Sequence, residues 1–406
     1  SKNYIKSNSY YIYWGSMLMK KVFISIMSTV LSACILMSAT SFANQISPEN
    51  DFQQVLDSFS DDEIGGAYIE NNILHIKPIE QTDIEQISTY SNSYSVVFDS
   101  VAKYSISELK DAQDRALDLF ESLDIDYVAI DDINNGLAVG ICDLTEEKEE
   151  VFNNYIGIDN ITFENVGNII DNFEEEDASK PSPMAATEIV SGVSVSDIDK
   201  SDPDDSSKKL AATIGASVSG SGTKYFVSTA HGVDVGDRFI YNTNNPIGTV
   251  NKKVMSGSEG MDISLIKLNE SNAKLSSKTI NNKMILTSGA PITGNTVYII
   301  NGNNPVEAKI KFSSCTKVWH DSGNNDVQTY KNIIMMEPSG TRMPEGGDSG
   351  SAVVTELSNG MYNICGIYKG RSEEAGTGGK AINSQYKYMF ATRWDVVSDY
   401  FNVDIY

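Results

Sequence analysis

The chain has 406 residues and a formal net charge of −24, and one segment carries nearly all of that charge. Residues 44–185 contain 32 Asp and Glu against 6 Lys and Arg, whereas residues 186–406 contain 23 against 21. This length allows two domains, and the charge difference indicates that they have different roles. Neither segment has the basic excess of a nucleic-acid-binding protein, so nucleic acid is not an expected partner.

Residues 1–43 are predicted to be upstream residues and a secretory signal peptide. Two lysines precede the apolar run 22–37, and Ser41-Phe42-Ala43 has the small residues that favour cleavage. The run is shorter than the roughly 20 residues of a membrane span. Secretion is therefore expected, while lipidation at Cys34, which would attach the protein to the cell surface, stays open as an alternative.

Residues 44–185 are predicted to form a small α+β domain that ends in a linker. Ser105 and Glu108 match a capping box, and Asn134-Asn135-Gly136 supplies the positive φ values of a hairpin turn. The stretch 173–183 is rich in acids, serine and proline, which is typical of a protease-sensitive linker. In chain order the predicted elements are helix 105–123, strands 126–131 and 137–143, helix 145–155 and strand 161–166.

Residues 186–406 are predicted to form an all-β domain with one helix near its end. Short β-rich runs alternate with Gly, Asn, Ser and Asp, which is the pattern of a sandwich or barrel. The helical signal covers residues 394–401. The chain after the linker is therefore expected to have a different fold class from the α+β domain before it.

Three residues of this domain could perform nucleophilic catalysis together. Ser349 lies between glycines in Gly346-Gly347-Asp348-Ser349-Gly350, where a hydroxyl and backbone N–H groups can meet a substrate carbonyl. His231 ends an apolar β run, so its imidazole can act as a base at an open edge. Asp262 opens an apolar strand, where a buried carboxylate requires a partner such as an imidazole.

The order of these motifs resembles the chymotrypsin-like serine proteases. Thr229-Ala230-His231, Asp262 to Leu268 and Gly347-Asp348-Ser349-Gly350 occur with separations similar to those of the compact bacterial branch that includes streptogrisins and alpha-lytic protease. The resemblance covers about residues 186–406. It implies two six-stranded antiparallel β-barrels with a C-terminal helix, preceded by the small α+β pro-domain.

The resemblance also implies a role for each matching residue. Ser349 would be the nucleophile, His231 the general base and Asp262 its orienting acid, while the N–H groups of Gly347 and Ser349 would form the oxyanion hole. Asp348 would be a buried structural carboxylate. Two residues are expected to contact the substrate from a pairing strand, and these are Tyr368 and Gly370.

Some positions depart from the usual pattern of the family. Ser351 replaces a common glycine, which glutamyl endopeptidases tolerate. Met343 lies six residues before Ser349, where trypsin-like enzymes have aspartate, and this argues against a strict preference for Lys or Arg. Arg342 and Lys369 could favour an acidic substrate side chain, although both are expected to be solvated surface charges.

Cysteines and acidic clusters leave further alternatives open. Cys315 and Cys365 are the only pair that could form a disulfide in the β-rich domain, and the sequence leaves their pairing undecided. A calcium site among Asp197, Asp199 and the acids at 202–205 is less favoured than a solvated loop, because the EF-hand pattern is absent. No metal or cofactor is expected. A hydrolase based on Cys142 is rejected because that cysteine lies outside the β-rich domain.

The function expected from these observations is that of a secreted serine endopeptidase made as a precursor. Residues 44–185 would be a propeptide, so the partners would be protein or peptide substrates and the protein's own propeptide, and a monomer is expected. The alternative is a catalytically silent homologue that binds peptides or surfaces.

Overall fold

The structure is a computed structural model that describes residues 52–53, 55–80, 96–167, 169–172, 187–201, 209–241, 245–320, 327–340, 342–345, 347–375 and 381–406. The predicted signal peptide, Cys34 and the predicted linker lie outside these residues. The chain from Glu49 onward forms one compact unit. In the part of the chain described, no helix is both long enough and apolar enough to cross a bilayer.

Helices are few among the described residues. They are α1 (Ile106–Ala116), α2 (Phe120–Leu123), α3 (Glu146–Ile156) and α4 (Trp394–Phe401), with a 3-10 turn at Leu117–Leu119. The strands before residue 187 are β1 (Ile64–Glu70), β2 (Ile73–Pro78), β3 (Val96–Phe98), β4 (Ile125–Asp131), β5 (Gly136–Ile141), β6 (Ile161–Asn165) and β7 (Ile169–Asn172). We call these elements up to β7 the acidic module.

Strands dominate the rest of the chain, which we call the β-rich region. They are β8 (Thr187–Ser191), β9 (Ser194–Ser201), β10 (Lys209–Thr213), β11 (Ala216–Gly220), β12 (Thr223–Ser228), β13 (Arg238–Ile240), β14 (Pro246–Ser256), β15 (Met261–Leu268), β16 (Ala273–Thr279), β17 (Ile285–Ser288), β18 (Thr296–Ile300), β19 (Val306–His320), β20 (Val327–Pro338), β21 (Ala352–Glu356), β22 (Tyr362–Ala375), β23 (Ala381–Arg393) and β24 (Asp404–Ile405).

The elements predicted for the acidic module are confirmed. Ser105 caps α1 in a complete capping box with Glu108, because each satisfies a backbone N–H of the other. Strands β4 and β5 form the hairpin, and Asn135 adopts the positive φ of 52° that its turn requires. Thr145 caps α3, and β6 extends the sheet in parallel with β5.

Two large sheets organise the β-rich region. The first has the order β10-β9-β13-β14-β15-β12-β11-β24, and the second contains β18-β21-β22-β23-β20-β19. Buried side chains of β11, β15 and β22 form one hydrophobic core. Helix α4 contributes Trp394, Val397 and Phe401 to the same core. The all-β character and the terminal helix match the expectation, while two six-stranded barrels stay a prediction.

The acidic module shares a sheet with the β-rich region. Strand β4 pairs antiparallel with β19, with Ala129 opposite Cys315 and Tyr127 opposite Lys317. Strand β7 pairs antiparallel with β22, with Asn172 opposite Arg371. The hydrophobic core beneath this seam mixes side chains of both parts, including Tyr127, Trp319 and Phe390. Backbone pairing thus joins two segments that the sequence alone presents as separate.

Candidate active site

Asp262 fixes the position of His231. Strands β12 and β15 pair antiparallel, which brings the end of β12 beside the start of β15. The Oδ1 atom of Asp262 accepts hydrogen bonds from the backbone N–H groups of Ala230 and His231, both at 2.9 Å. Its Oδ2 atom lies 2.6 Å from Nδ1 of His231. One carboxylate therefore holds both the turn and the imidazole ring.

The environment of Asp262 keeps its carboxylate ionised. Its side chain is fully buried, and burial by itself would raise its pKa. The charges and hydrogen bonds of His231 and Lys369 outweigh burial and hold the pKa of Asp262 well below its usual range. An ionised carboxylate only accepts hydrogen bonds, so Nδ1 of His231 carries a proton and Nε2 is left as the basic nitrogen.

Ser349 lies on a tight loop that neighbouring strands hold in place. Gly347 and Gly350 have φ values of 82° and 97°, a region that glycine adopts without strain. The hydroxyl of Ser349 donates a hydrogen bond to the backbone oxygen of Lys369 at 3.0 Å. Thr213 donates from its hydroxyl to Gly347 O at 2.7 Å and from its N–H to Ser349 O at 3.2 Å. Two segments, at the end of β10 and in β22, thus hold the Ser349 loop in place.

The Ser349 loop packs directly against the segment that leads to His231. A Cβ at Gly350 would lie 2.4 Å from the hydroxyl oxygen of Ser228 and 2.4 Å from the backbone oxygen of Thr213, so it would collide with both. The nitrogen of Thr229, two residues before His231, would lie 3.3 Å from such a Cβ. The glycine is therefore required for the close approach of the Ser349 loop to the segment that leads to His231.

The backbone N–H groups of Gly347 and Ser349 are available to a ligand. Neither donates a hydrogen bond to any residue in the described ranges. The N–H of Gly350, by contrast, donates to Tyr368 O at 2.9 Å. Two such donors beside a serine hydroxyl are what an oxyanion hole requires, and that role of Gly347 and Ser349 stays a prediction.

The predicted substrate-binding residues lie on β22. The side chain of Tyr368 is only 2 % exposed and packs in the core with Cys365 and Met389, so its ring has little surface to offer a substrate. Gly370 is buried and pairs with Phe390 of β23. A substrate-binding role for Tyr368 and Gly370 stays a prediction.

The expectation that Lys369 is a solvated surface charge is wrong. Its side chain is completely buried, and its ammonium lies 2.9 Å from Oδ2 of Asp262. It also stands 3.6 Å from the ring centroid of Tyr330. Arg342 is half-buried and donates to the backbone oxygen of Asn301 at 3.2 Å. Lys369 therefore lies in the candidate site. Its position within the apolar run around Ile367 is the sequence feature that could have indicated a buried lysine.

Other acidic residues differ from their predicted environment. Asp348 is half-buried rather than fully buried. Its carboxylate accepts hydrogen bonds from the Asn301 side chain and the Glu345 N–H, and these bonds hold the shape of the Ser349 loop. Asp197 is only 1 % exposed, so it is not part of a solvated loop. Its carboxylate lies near those of Asp199 and Asp237, which already pair with Arg238 and Lys200.

The cysteines of the described residues are free thiols. Cys315 and Cys365 form no disulfide, and they lie in separate hydrophobic clusters. Burial and the nearby carboxylates of Asp126 and Asp124 raise the pKa of Cys142 to about 12. A protonated thiol is a poor nucleophile, which agrees with the rejection of a hydrolase based on Cys142.

Comparisons with known proteins give matches among solved structures alone. No family model matches the chain, and no curated protein matches it. Protease A of Thermobifida fusca is 17% identical, with 54% of this chain and 98% of that chain covered and a TM-score of 0.37. The Nocardiopsis protease is 15% identical, with 54% and 98% covered and a TM-score of 0.37. A serine protease specific for glutamic acid is 11% identical, with 54% and 100% covered and a TM-score of 0.40. The solved structures to which this chain is similar include those of bacterial chymotrypsin-like serine proteases.

Proposed function

We propose that this protein is the precursor of a secreted serine endopeptidase that cleaves peptide bonds through Ser349, His231 and Asp262. The observation that carries the proposal is the buried Asp262 carboxylate, which fixes the His231 imidazole while the glycine-flanked Ser349 loop packs against the same segment. Buried carboxylates are rare without a functional or compensating partner. This one has a catalytic partner.

The geometry supports an acyl-enzyme mechanism. Nε2 of His231 takes the proton of Ser349 as the hydroxyl oxygen attacks the substrate carbonyl, so the hydroxyl must first leave its bond to Lys369 O. The N–H groups of Gly347 and Ser349 stabilise the oxyanion. His231 then donates the proton to the leaving amine, and water hydrolyses the ester by the reverse sequence. These steps use only side chains, backbone and water.

We assign the acidic module the role of a propeptide. Its strand β7 lies antiparallel to β22 and is paired from Arg371 onward, which is two residues beyond Lys369. A peptide substrate that paired with this part of β22 would compete with β7 for the same backbone groups. The module thereby lowers the access of substrates to the site, and its release would activate the enzyme.

Peptide hydrolysis by the secreted protein tests the catalytic proposal. Ser349→Ala should reduce kcat/KM by more than about 10³-fold, because the acyl-enzyme can no longer form. Ser351→Ala is the matched control, since it removes a buried hydroxyl two residues away and should retain activity. Hydrolysis by the Ser349→Ala protein at the wild-type rate would contradict the mechanism and favour the silent, peptide-binding alternative.

N-terminal sequencing of the secreted protein tests the propeptide role. We expect the active form to begin after the acidic module, and the Ser349→Ala protein to keep the module if cleavage is autocatalytic. A fully active protein whose chain begins near Gln45 would instead indicate a retained domain.

A further inference from the structure

A buried cation lies against the carboxylate that orients His231. Lys369 and Asp262 both have completely buried side chains, and the Nζ atom of Lys369 is 2.9 Å from Oδ2 of Asp262. The same oxygen is 2.6 Å from Nδ1 of His231. A single carboxylate oxygen is thus shared by an ammonium and an imidazole.

Aromatic rings keep Lys369 in this position and stabilise its charge. The Nζ atom is 3.6 Å from the ring centroid of Tyr330 and 4.9 Å from that of Trp319. These rings belong to β20 and β19, while Lys369 belongs to β22. Aromatic faces attract cations strongly where water is excluded. Together with Asp262 they give the buried ammonium a favourable site.

The ammonium and the imidazole compete electrostatically. Because both nitrogens contact the same oxygen, they lie within about 6 Å of each other, where two positive charges repel appreciably even at an effective dielectric constant of about 20. The Lys369 ammonium is charged in its ion pair with Asp262, whereas His231 gains a charge only on protonation. A protonated His231 would therefore face a second positive charge across the same carboxylate oxygen.

The other ionisable groups on the surrounding elements have partners of their own. Each pairs with an opposite charge or with polar groups, and within the described ranges Lys369 is the cation that forms an ion pair with Asp262. They are Lys200 with Asp234 and Asp237, Lys317 with Asp126 and Asp171, Asp348 with Asn301, Arg371 with the backbone of Pro344, and Tyr330 with Gln328.

We propose that Lys369 is a positioning residue whose ammonium holds Asp262 in place. It also keeps His231 in its neutral, proton-accepting form at a more acidic pH than the Asp262–His231 pair would reach without Lys369. This inference rests on the proposed function. Lys369 touches no reacting atom through its side chain, and it acts through Asp262. Its effect would extend proteolysis toward acidic pH.

The pH dependence of kcat/KM tests this role. In Lys369→Met the acidic limb of the profile should move to higher pH by about one unit or more, because the competing charge is gone. Lys369→Arg keeps the charge and should leave the limb near its wild-type position. If Lys369→Met does not fold, Lys369→Gln gives the same comparison, since it retains a donor without the charge. Coinciding acidic limbs in the charged and neutral variants would overturn the proposal.

A second measurement separates this inference from the proposed function. The full chain with Ser349→Ala is labelled at histidine, and the protonation of His231 is followed by NMR with and without Lys369→Met. The chain has three histidines, and His231→Gln assigns the resonance. A midpoint that rises in Lys369→Met supports the charge coupling even if no peptide is hydrolysed. An unchanged midpoint refutes it even if the protein is a protease.

Discussion

Two buried charge clusters in this protein are opposite in sign. In the Asp262 cluster, one carboxylate contacts His231 and Lys369. In the Lys317 cluster, one ammonium contacts Asp126 at 2.7 Å and Asp171 at 3.0 Å. Side-chain exposure in the Lys317 cluster does not exceed 1 %. Asp262 is compensated by one ammonium and one hydrogen-bonding imidazole, whereas Lys317 is compensated by two carboxylates.

The clusters differ in the parts of the chain that build them. All members of the Asp262 cluster belong to the β-rich region, whereas Asp126 and Asp171 belong to β4 and β7 of the acidic module. Burial alone would lower the pKa of Lys317, but the two carboxylates raise it well above its usual range. The first cluster is therefore complete without the module, and the second depends on it.

The largest expected effect is that of Asp262→Asn on catalysis. An amide no longer fixes the tautomer of His231 or stabilises its cation, so kcat should fall by about 10⁴-fold in a peptide-hydrolysis assay. The change also leaves Lys369 buried without its counter-charge, which should lower the free energy of unfolding by about 3–5 kcal/mol. Glu259→Gln, at an exposed position before the same strand, is the control. Equal kcat values for the two variants would show that Asp262 has no catalytic role.

Lys317→Met should act on the stability of the module-bound form. The substitution leaves Asp126 and Asp171 as buried carboxylates without their cation, at a cost of about 3–5 kcal/mol. Denaturant unfolding of the full chain with Ser349→Ala, which prevents self-processing, measures the loss. Lys309→Met lies on the same strand at an exposed position and should change little. After release of the module the penalty should vanish, and a penalty of equal size in the mature form would contradict the comparison.

The smallest effect is expected at an exposed ion pair that also joins the acidic module to the β-rich region. Lys331 of β20 lies 2.8 Å from Asp114 of α1, and both side chains are exposed to solvent at 35% or more. Lys331→Met should lower the free energy of unfolding of the full chain by less than about 1 kcal/mol, because water screens the pair. A loss as large as that of Lys317→Met would mean that burial does not distinguish the two contacts.

Much of the acidic module could be predicted because its signals are local. The capping box of α1 and the Asn-rich turn between β4 and β5 depend on residues three or four positions apart. The pairing of β4 with β19 could not be predicted, because Ala129 and Cys315 are far apart in the chain. The alternation of apolar and polar residues along a strand does not identify the strand with which it pairs.

The candidate site also contains residues that could be predicted from the sequence and one that could not. His231, Asp262 and Ser349 could be selected from the sequence because each occurs in a motif whose residue types match one chemical task. The sequence predicts a surface position for Lys369, since a lysine is usually exposed and nothing near it in the chain identifies a counter-charge. Asp262 becomes its partner only when β15 and β22 meet.

The sequence by itself determined the local elements, the contrast between an acidic and a nearly neutral segment, and the residues able to perform nucleophilic catalysis. Tertiary structure alone decided that the acidic module extends the sheet of the β-rich region, that Lys317 is buried between its carboxylates, and that Lys369 contacts Asp262. The physical reason is that buried charges require partners from other strands, and only folding brings those strands together.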